Sequence, residues 1–384
     1  MEGGVGAFTQ ELARALAALG HEVHVITSRH ARPPAPRPRL RDLRRPVDVG
    51  FASLHPIVNR WRWPSLASIA EVALRYDLEV INIQYQAAAY NMRSPMINFL
   101  PWRLQGVTRN VVTFHDLRVP YLFPKAGFLR RAAVQFMARR AHGAIATNSA
   151  DFSALTADLA RPVAQIPIGS NVAVYTPNHV EIAEVREQMG LRPDDCLLGY
   201  FGFLNASKGA DTLLEALARL DERFHLVFIG GQTGASDPTN AAFLAQVRAH
   251  AGQLGLDARV HWTGFLADVR VSAHLHAADL LVMPYRDGVS LRRGTLMAAL
   301  AHGRPLITTA PAAPTPELVH GRNLWLVPVD DAAALADAVQ TLAADAEGRA
   351  RLGAGAAQLA GHFSWDKIAA QTAAFFQTLL PSSG

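Results

Sequence analysis

The sequence predicts an α/β protein of two doubly wound domains, each a parallel sheet with helices on both faces. Three observations carry this. Short apolar runs of strand length alternate with helix-length segments along the chain, and helices between strands imply parallel pairing. The second half repeats the plan of the first. The chain has 384 residues, half of them hydrophobic, which is enough for about two cores.

The unit that organises the chain is 279–309. Leu280 to Met283 reads as a buried parallel strand, stopped by Pro284. A loop through Tyr285, Asp287, Gly288, Val289 and Ser290 follows, with Gly288 supplying backbone freedom. A helix is expected from about Leu291 to Ala301, ended by Gly303 and Pro305, before a return strand at Leu306-Ile307. The loop therefore lies at the carboxyl end of a strand, where open α/β sheets bind ligands. Arg292 and Arg293 fall in the expected first helical turn. Arginines normally favour the other end of a helix, so an anion docking there is one reading and two solvated side chains the other.

In chain order, Gly3, Gly4 and Gly6 lead into a helix from Ala7 to Leu19, ended by Gly20, and then a strand from His21 to Thr27. A glycine-rich loop feeding a helix usually follows a strand, so a first strand is expected ahead of Met1. Residues 29–45 carry seven arginines among four prolines and read as an exposed loop. It is either a solvated loop or a contact for acidic lipid headgroups. Trp61 and Trp63 follow, as packing residues or as part of an interface or acceptor site. Strands are expected at Leu78–Ile83, Val111–Phe114, Gly143–Thr147 and Val163–Pro167, with a helix from Gly127 to Ala141. His115-Asp116 sits at a strand's carboxyl end, suited to binding a sugar, moving a proton, or merely capping the next turn. Residues 169–193 read as a link. Domain one is then 1–175 and domain two 176–364, with a terminal amphipathic helix in 365–384.

In the second half, strands are expected at Leu197–Gly202 and Phe224–Ile229, a strand and loop at Val260–Phe265, and helices at Asp211–Leu220 and Asn240–Leu254. Lys208-Gly209 lies between the first of these strands and its helix, where a lysine can serve as a point charge on phosphate.

Composition narrows the class. The net charge is +5 and the sequence pI about 9.6, which suits anionic partners without choosing among them. No apolar run is long enough to span a membrane as a helix, and no secretory signal is visible. The single cysteine, Cys196, fits a cytoplasmic setting. Walker A, GxSxG and HExxH patterns are absent, and no Asp-x-Asp stands at a strand end. His274 and His276 lack companions for a metal site. Nucleic-acid modules have signatures not found here, so no nucleic-acid partner is expected.

Taken together, the motifs resemble family 4 retaining glycosyltransferases of the two-domain GT-B fold. The likeness rests on Gly3-Gly4-Val5-Gly6, Gly20-His21-Glu22-Val23-His24-Val25, Thr113-Phe114-His115-Asp116 and Ile166-Pro167-Ile168-Gly169-Ser170-Asn171. It continues through Gly202, Lys208-Gly209, Ala278-Asp279-Leu280, Pro284-Tyr285, Gly303-Arg304-Pro305 and Phe363-Ser364-Trp365. The resemblance implies two Rossmann-like domains facing across a cleft, with the last helix crossing back to the first. It implies sugar transfer from a nucleotide-diphosphate sugar to a glycan, lipid-linked or small-molecule acceptor, with retention and without metal or other cofactor. Lys208, Gly288, Val289, Ser290, Arg292 and Arg293 would hold the donor, His115 and Asp116 would serve the reacting sugar, and Gly3 and Gly4 would form the acceptor and phosphate loop.

The chain departs from that pattern. Two glutamates usual in such enzymes correspond to Ser290 and Ala298, and a common arginine is Phe203. Two other readings stay open: a non-catalytic sugar-nucleotide or glycan binder, and a sugar-nucleotide epimerase on the same fold.

Overall fold

The computed structural model describes residues 4–29, 45–90, 94–117, 127–231 and 238–381. The chain divides into two compact units, 1–168 with 365–384, and 169–364. The break lies at 168/169, against 175/176 from the sequence.

The first unit opens with helix α1 (Gly4–Ala18), whose Phe8, Leu12 and Ala15 recur at helical spacing and are buried. Strands β1 (His24–Ser28), β2 (Val47–Asp48) and β3 (Ser53–Val58) make a small sheet of order β1-β3-β2. After helix α2 (Ser65–Arg75), strand β4 (Val80–Tyr85), the short helix α3 (Leu100–Arg103), strand β5 (Arg109–Phe114), helix α4 (Gly127–Arg140), strand β6 (Gly143–Ala146), helix α5 (Ser149–Asp158) and strand β7 (Val163–Gln165) build a parallel sheet in sequential order. No described strand joins β1 to β4, so the expected single sheet is two. The same helix covers both. Ala13 of α1 packs with Val25 and Ala52, while Phe8, Leu12 and Ala15 pack with Val111 and Ile145.

The second unit begins with helix α6 (His179–Gln188), inside the stretch read from sequence as a link. Its capping box explains it. The Asn178 side chain accepts from the Glu181 backbone N–H at 3.0 Å, and the Glu181 carboxylate accepts from the Asn178 N–H at 2.8 Å. Then come β8 (Cys196–Phe201), α7 (Ala210–Leu217), β9 (Phe224–Ile229), α8 (Pro238–Gln253), β10 (Val260–Trp262), α9 (Asp268–Ala277), β11 (Leu280–Met283), α10 (Gly294–Ala301), β12 (Leu306–Thr309), β13 (Trp325–Val327), α11 (Ala332–Ala344) and α12 (Ala346–Ala360). All six strands are parallel, in the order β10-β9-β8-β11-β12-β13. The chain starts in the middle, winds outward one way, then returns to wind the other. The reversal falls between β8 and β11, and ligands bind beyond the strand ends at such a point. Leu197, Leu198 and Tyr200 of β8 and all four side chains of β11 are buried, the larger of them contributing roughly 1.5–3 kcal/mol each. Cys196 is part of this core edge, and burial pushes its thiol up to about 12, which makes it a poor nucleophile.

Helix α13 (Trp365–Gln377) belongs to the first unit. Its buried Ile368 and Ala369 join Phe8 and Leu12 of α1 in one apolar cluster.

Candidate functional site

Two loops meet beyond the β8 and β11 ends. After β8 the chain turns through Gly202 and Phe203 to a 3-10 turn at Ala206–Lys208, and Asn205 caps that turn by accepting from the Ser207 N–H at 3.2 Å. Gly209 then starts α7 with φ +67°, and a Cβ there would stand 1.9 Å from the Pro284 carbonyl oxygen. Only glycine fits this contact. The neighbouring Arg286 N–H donates to the Ser207 carbonyl at 2.9 Å, tying the two loops backbone to backbone. Gly288, at φ +77°, lies as tightly against the 310–312 backbone, with Ala310 O and Ala312 N each 2.7 Å from a notional Cβ.

Lys208 reaches into this junction, half-buried, and its Nζ donates to the Phe203 carbonyl at 2.6 Å. Burial, then the neighbouring Arg293 charge, lowers its pKa to about 8. It remains mostly cationic at neutral pH. Arg293 is mostly buried and lies 3.9 Å from the centre of the Tyr285 ring, a cation–π contact. It pairs with Asp287, and its buried Nε has no hydrogen-bond partner. The Tyr285 hydroxyl bonds Thr295 Oγ1 at 2.8 Å, which fixes the ring. Arg286 is committed elsewhere: it donates to Asp211 at 2.6 Å and Asp330 at 2.8 Å. The site thus presents two crowded cations, one with a buried N–H left over. That is costly unless an anion completes it.

Helix α10 begins three residues later than the sequence implied. Arg293 is its N-cap residue, in extended conformation, and Arg292 lies in the preceding turn. The Asp287–Arg293 pair and the Ser290 carbonyl, which accepts from the Arg293 N–H at 3.2 Å, hold a loop where helix was expected. Val289 is buried against the 309 strand end, its N–H donating to Thr309 O at 3.4 Å. Of the expected donor residues, Lys208, Gly288, Val289, Ser290, Arg292 and Arg293 all lie on these two loops. Tyr285, Asp287 and Thr295 complete the cation pair. A tyrosine and an aspartate two apart, beside an arginine-rich turn, were the available signal.

In the first unit, His115 follows β5. Its N–H donates to Tyr85 O at 3.0 Å, and its Nε2 meets Gln84 Oε1 at 3.0 Å. Against a carboxamide oxygen Nε2 carries the proton, which leaves Nδ1 as an acceptor. The Phe8 ring stands edge-on at 4.6 Å, with Trp365 beyond it at 5.2 Å from Phe8. Burial lowers the His115 pKa to about 4, so the ring is neutral at physiological pH. It can orient a hydroxyl but is no ready proton donor. Asp116 is half-buried beside it. Gly4 is the first residue of α1 rather than part of a loop, and open space surrounds it. The helix begins three residues before the expected Ala7. Gly3 lies outside the described residues. So do residues 30–44, most of the arginine-rich stretch.

His274 and His276 are held in α9 by their own helix, each ring donating from Nδ1 to the carbonyl four residues back, at 2.7 and 2.8 Å. Among the described residues, no three His, Cys, Asp or Glu side chains gather as a metal would need. No described helix is long and apolar enough to cross a membrane.

Residues 2–173 match the family described as Glycosyltransferase Family 4, and residues 195–345 match Glycosyl transferases group 1. A D-inositol 3-phosphate glycosyltransferase of Xylanimonas cellulosilytica is 32% identical over 219 residues, which is 56% of this chain and 50% of that protein. That of Stackebrandtia nassauensis is 29% identical over 238 residues, 59% of this chain and 52% of the other. The chain spans about half the length of the curated relatives it matches. Among solved structures, sucrose-phosphate synthase from Thermosynechococcus elongatus superposes with a TM-score of 0.75 at 22% identity, covering 98% of this chain and 94% of the other. The Anabaena protein HepE, solved in complex with UDP, gives a TM-score of 0.67 at 20% identity, with 82% of each chain covered. At these identities the structures establish a shared fold of two Rossmann-like domains.

Proposed function

We propose that this chain, whose two halves match the Glycosyltransferase Family 4 and Glycosyl transferases group 1 families, transfers a sugar from a nucleotide-diphosphate donor to a glycan, lipid-linked or small-molecule acceptor, with retention of configuration. One observation carries the reading: Lys208 and Arg293 crowd together at the sheet's switch point, and the buried Nε of Arg293 has no partner. A diphosphate supplies the charge this pair lacks.

The chemistry follows from the side chains. As the glycosidic bond to the diphosphate lengthens, negative charge builds on the leaving oxygens. Lys208 and Arg293 are already desolvated and held in place, so they stabilise that charge with little reorganisation. Their positive charge does what a divalent cation would otherwise do, so the reaction runs without metal or another cofactor. Arg292, Ser290 and the Gly288 loop line the donor side. His115, neutral, accepts from or positions a sugar hydroxyl through Nδ1, and Asp116 lies beside it. Gly3 and Gly4 mark the acceptor end. Ser290 and Ala298 stand where the family usually carries glutamates. Ala298 is fully buried in α10, so any carboxylate role passes to another group or is absent.

The test is a thermal titration with UDP, GDP, ADP and their common sugar conjugates, since a ligand that binds the folded state raises Tm by mass action. One base should raise Tm clearly, and Lys208→Ala should weaken its binding by about tenfold or more. Turnover of that donor in the presence of EDTA, with acceptor, would establish metal-free transfer. Equal binding by Lys208→Ala would remove Lys208 from the site. A well-folded protein that ignores every nucleotide would leave a non-catalytic glycan binder. Donor epimerised or hydrolysed without any acceptor would mark an epimerase.

A further inference from the structure

A second cationic surface lies on the first unit, apart from the strand-end loops. Between residues 99 and 141 the sequence holds seven arginines and one lysine against a single carboxylate, Asp116. Helix α4 carries no acidic residue. Its outward stripe runs Phe128, Ala132, Gln135, Arg139 at helical spacing, with Leu129, Arg131 and Arg140 alongside. Phe128 is 73% exposed and Leu129 59%. At the other end of α4 a recess of about 500 Å³ is lined by Gln105, Gln135, Phe136, Arg139, Arg140 and Arg161, and no carboxylate lines it. The Arg140 guanidinium lies over the Phe136 ring at 5.4 Å, and Gln105 ties α3 to α4 by donating to Arg140 O at 3.4 Å. The carboxylate near its edge is Asp158, which accepts from Gln135 at 3.5 Å. Trp102 on α3 is half exposed, one turn from Gln105, and Trp63, equally exposed, packs on Phe99.

The helix dipole accounts for arginines in the last turn of α4. It does not account for Arg161, which arrives from beyond α5, nor for large apolar side chains standing in water beside them. Basic side chains beside exposed tryptophan and phenylalanine are what an anionic lipid surface recognises: guanidiniums pair with phosphates, and the rings enter the headgroup layer. We propose that the α3–α4 face of the first unit docks on an anionic membrane, with Arg139, Arg140 and Arg161 holding lipid phosphate in the recess and Phe128, Leu129 and Trp102 entering the interface. This does not rest on the transfer reading. It draws on residues other than the arginine-rich 29–45.

The test is co-sedimentation of the whole chain with vesicles of phosphatidylcholine alone and of phosphatidylcholine mixed with phosphatidylglycerol. The protein should bind only the mixed vesicles, and salt should weaken it. Each arginine is worth roughly fivefold, so the triple variant Arg139→Gln, Arg140→Gln, Arg161→Gln should bind on the order of a hundredfold more weakly. Phe128→Ser with Leu129→Ser should cost about tenfold. These are exposed positions, so Tm and nucleotide binding should not change. Arg161→Gln alone, outside any helix, gives a reading that helix stability cannot confuse. Undiminished vesicle binding by both the triple and the apolar variants would overturn the proposal. So would complete release of the protein from mixed vesicles by inorganic phosphate at constant ionic strength, which would make the recess a site for a soluble anion.

Discussion

Lys208 and His115 each lie in the segment that follows an inner strand, His115 directly after β5 and Lys208 at the end of the loop after β8, and burial lowers the pKa of both. The outcomes differ. Lys208 comes down to about 8 and stays charged near neutrality, beside a second cation. His115 comes down to about 4 and is uncharged, beside a carboxamide. The same desolvation therefore makes an anion site in one unit and a neutral hydrogen-bonding site in the other. The starting pKa of each residue type, more than the depth of its burial, decides which.

The comparison can be pressed hardest at its neutral end. A histidine whose folded pKa lies below its unfolded value binds its proton better when unfolded. Its contribution is then fully present above about pH 6.5 and is lost as pH falls towards about 4. That window is worth about 3 kcal/mol. His115→Gln should flatten the acid limb of a urea-denaturation series over this range. An unchanged limb would mean His115 titrates normally. At the charged end, Lys208 needs its proton to hold a diphosphate. Nucleotide affinity should be level from pH 7 to about 8, then fall by up to tenfold per unit above it. Calorimetric titration should show proton uptake on binding at pH 9. A flat profile would uncouple Lys208 from the ligand. The smallest effect concerns Asp287, the carboxylate that pairs with Arg293 in the structure. Asp287 is partly exposed, so its hold is modest. Asp287→Asn should raise nucleotide affinity by only a few-fold, and a loss of affinity would show instead that Asp287 positions the arginine.

How much of this was legible beforehand depended on range. Apolar runs announced β9 and β11 to the residue, because strands buried on both faces are apolar over nearly all their length, His225 of β9 being the one polar residue in the two. Short partly exposed strands were invisible: β2 has two residues, and β3 carries Pro56 and His55 within a half-buried run. Helix α6 could have been found from Asn178 and Glu181, since a capping box is local. The start of α10 could not, because it depends on Asp287 pairing with Arg293 across the loop. Lys208 and Arg293 were each visible as cations near strand ends. Their mutual crowding was not, because it comes from β8 and β11 being neighbours although 78 residues lie between Phe201 and Leu280 in sequence. The aromatic wall of Phe8 and Trp365 near His115 joins opposite ends of the chain, and nothing local signals it.

The placement of α13 also has a consequence for synthesis. The first unit's own residues up to 168 are made early, but the helix that covers Phe8, Leu12 and Ile145 begins at Trp365. On a ribosome adding roughly 5–20 residues per second, that apolar face waits on the order of 10–40 s for its cover. The second unit meanwhile emerges whole and is free to fold ahead of the first. Vectorial translation thus reverses the order in which the two units are completed, and the open α1 face in that interval is where a chaperone would find this chain.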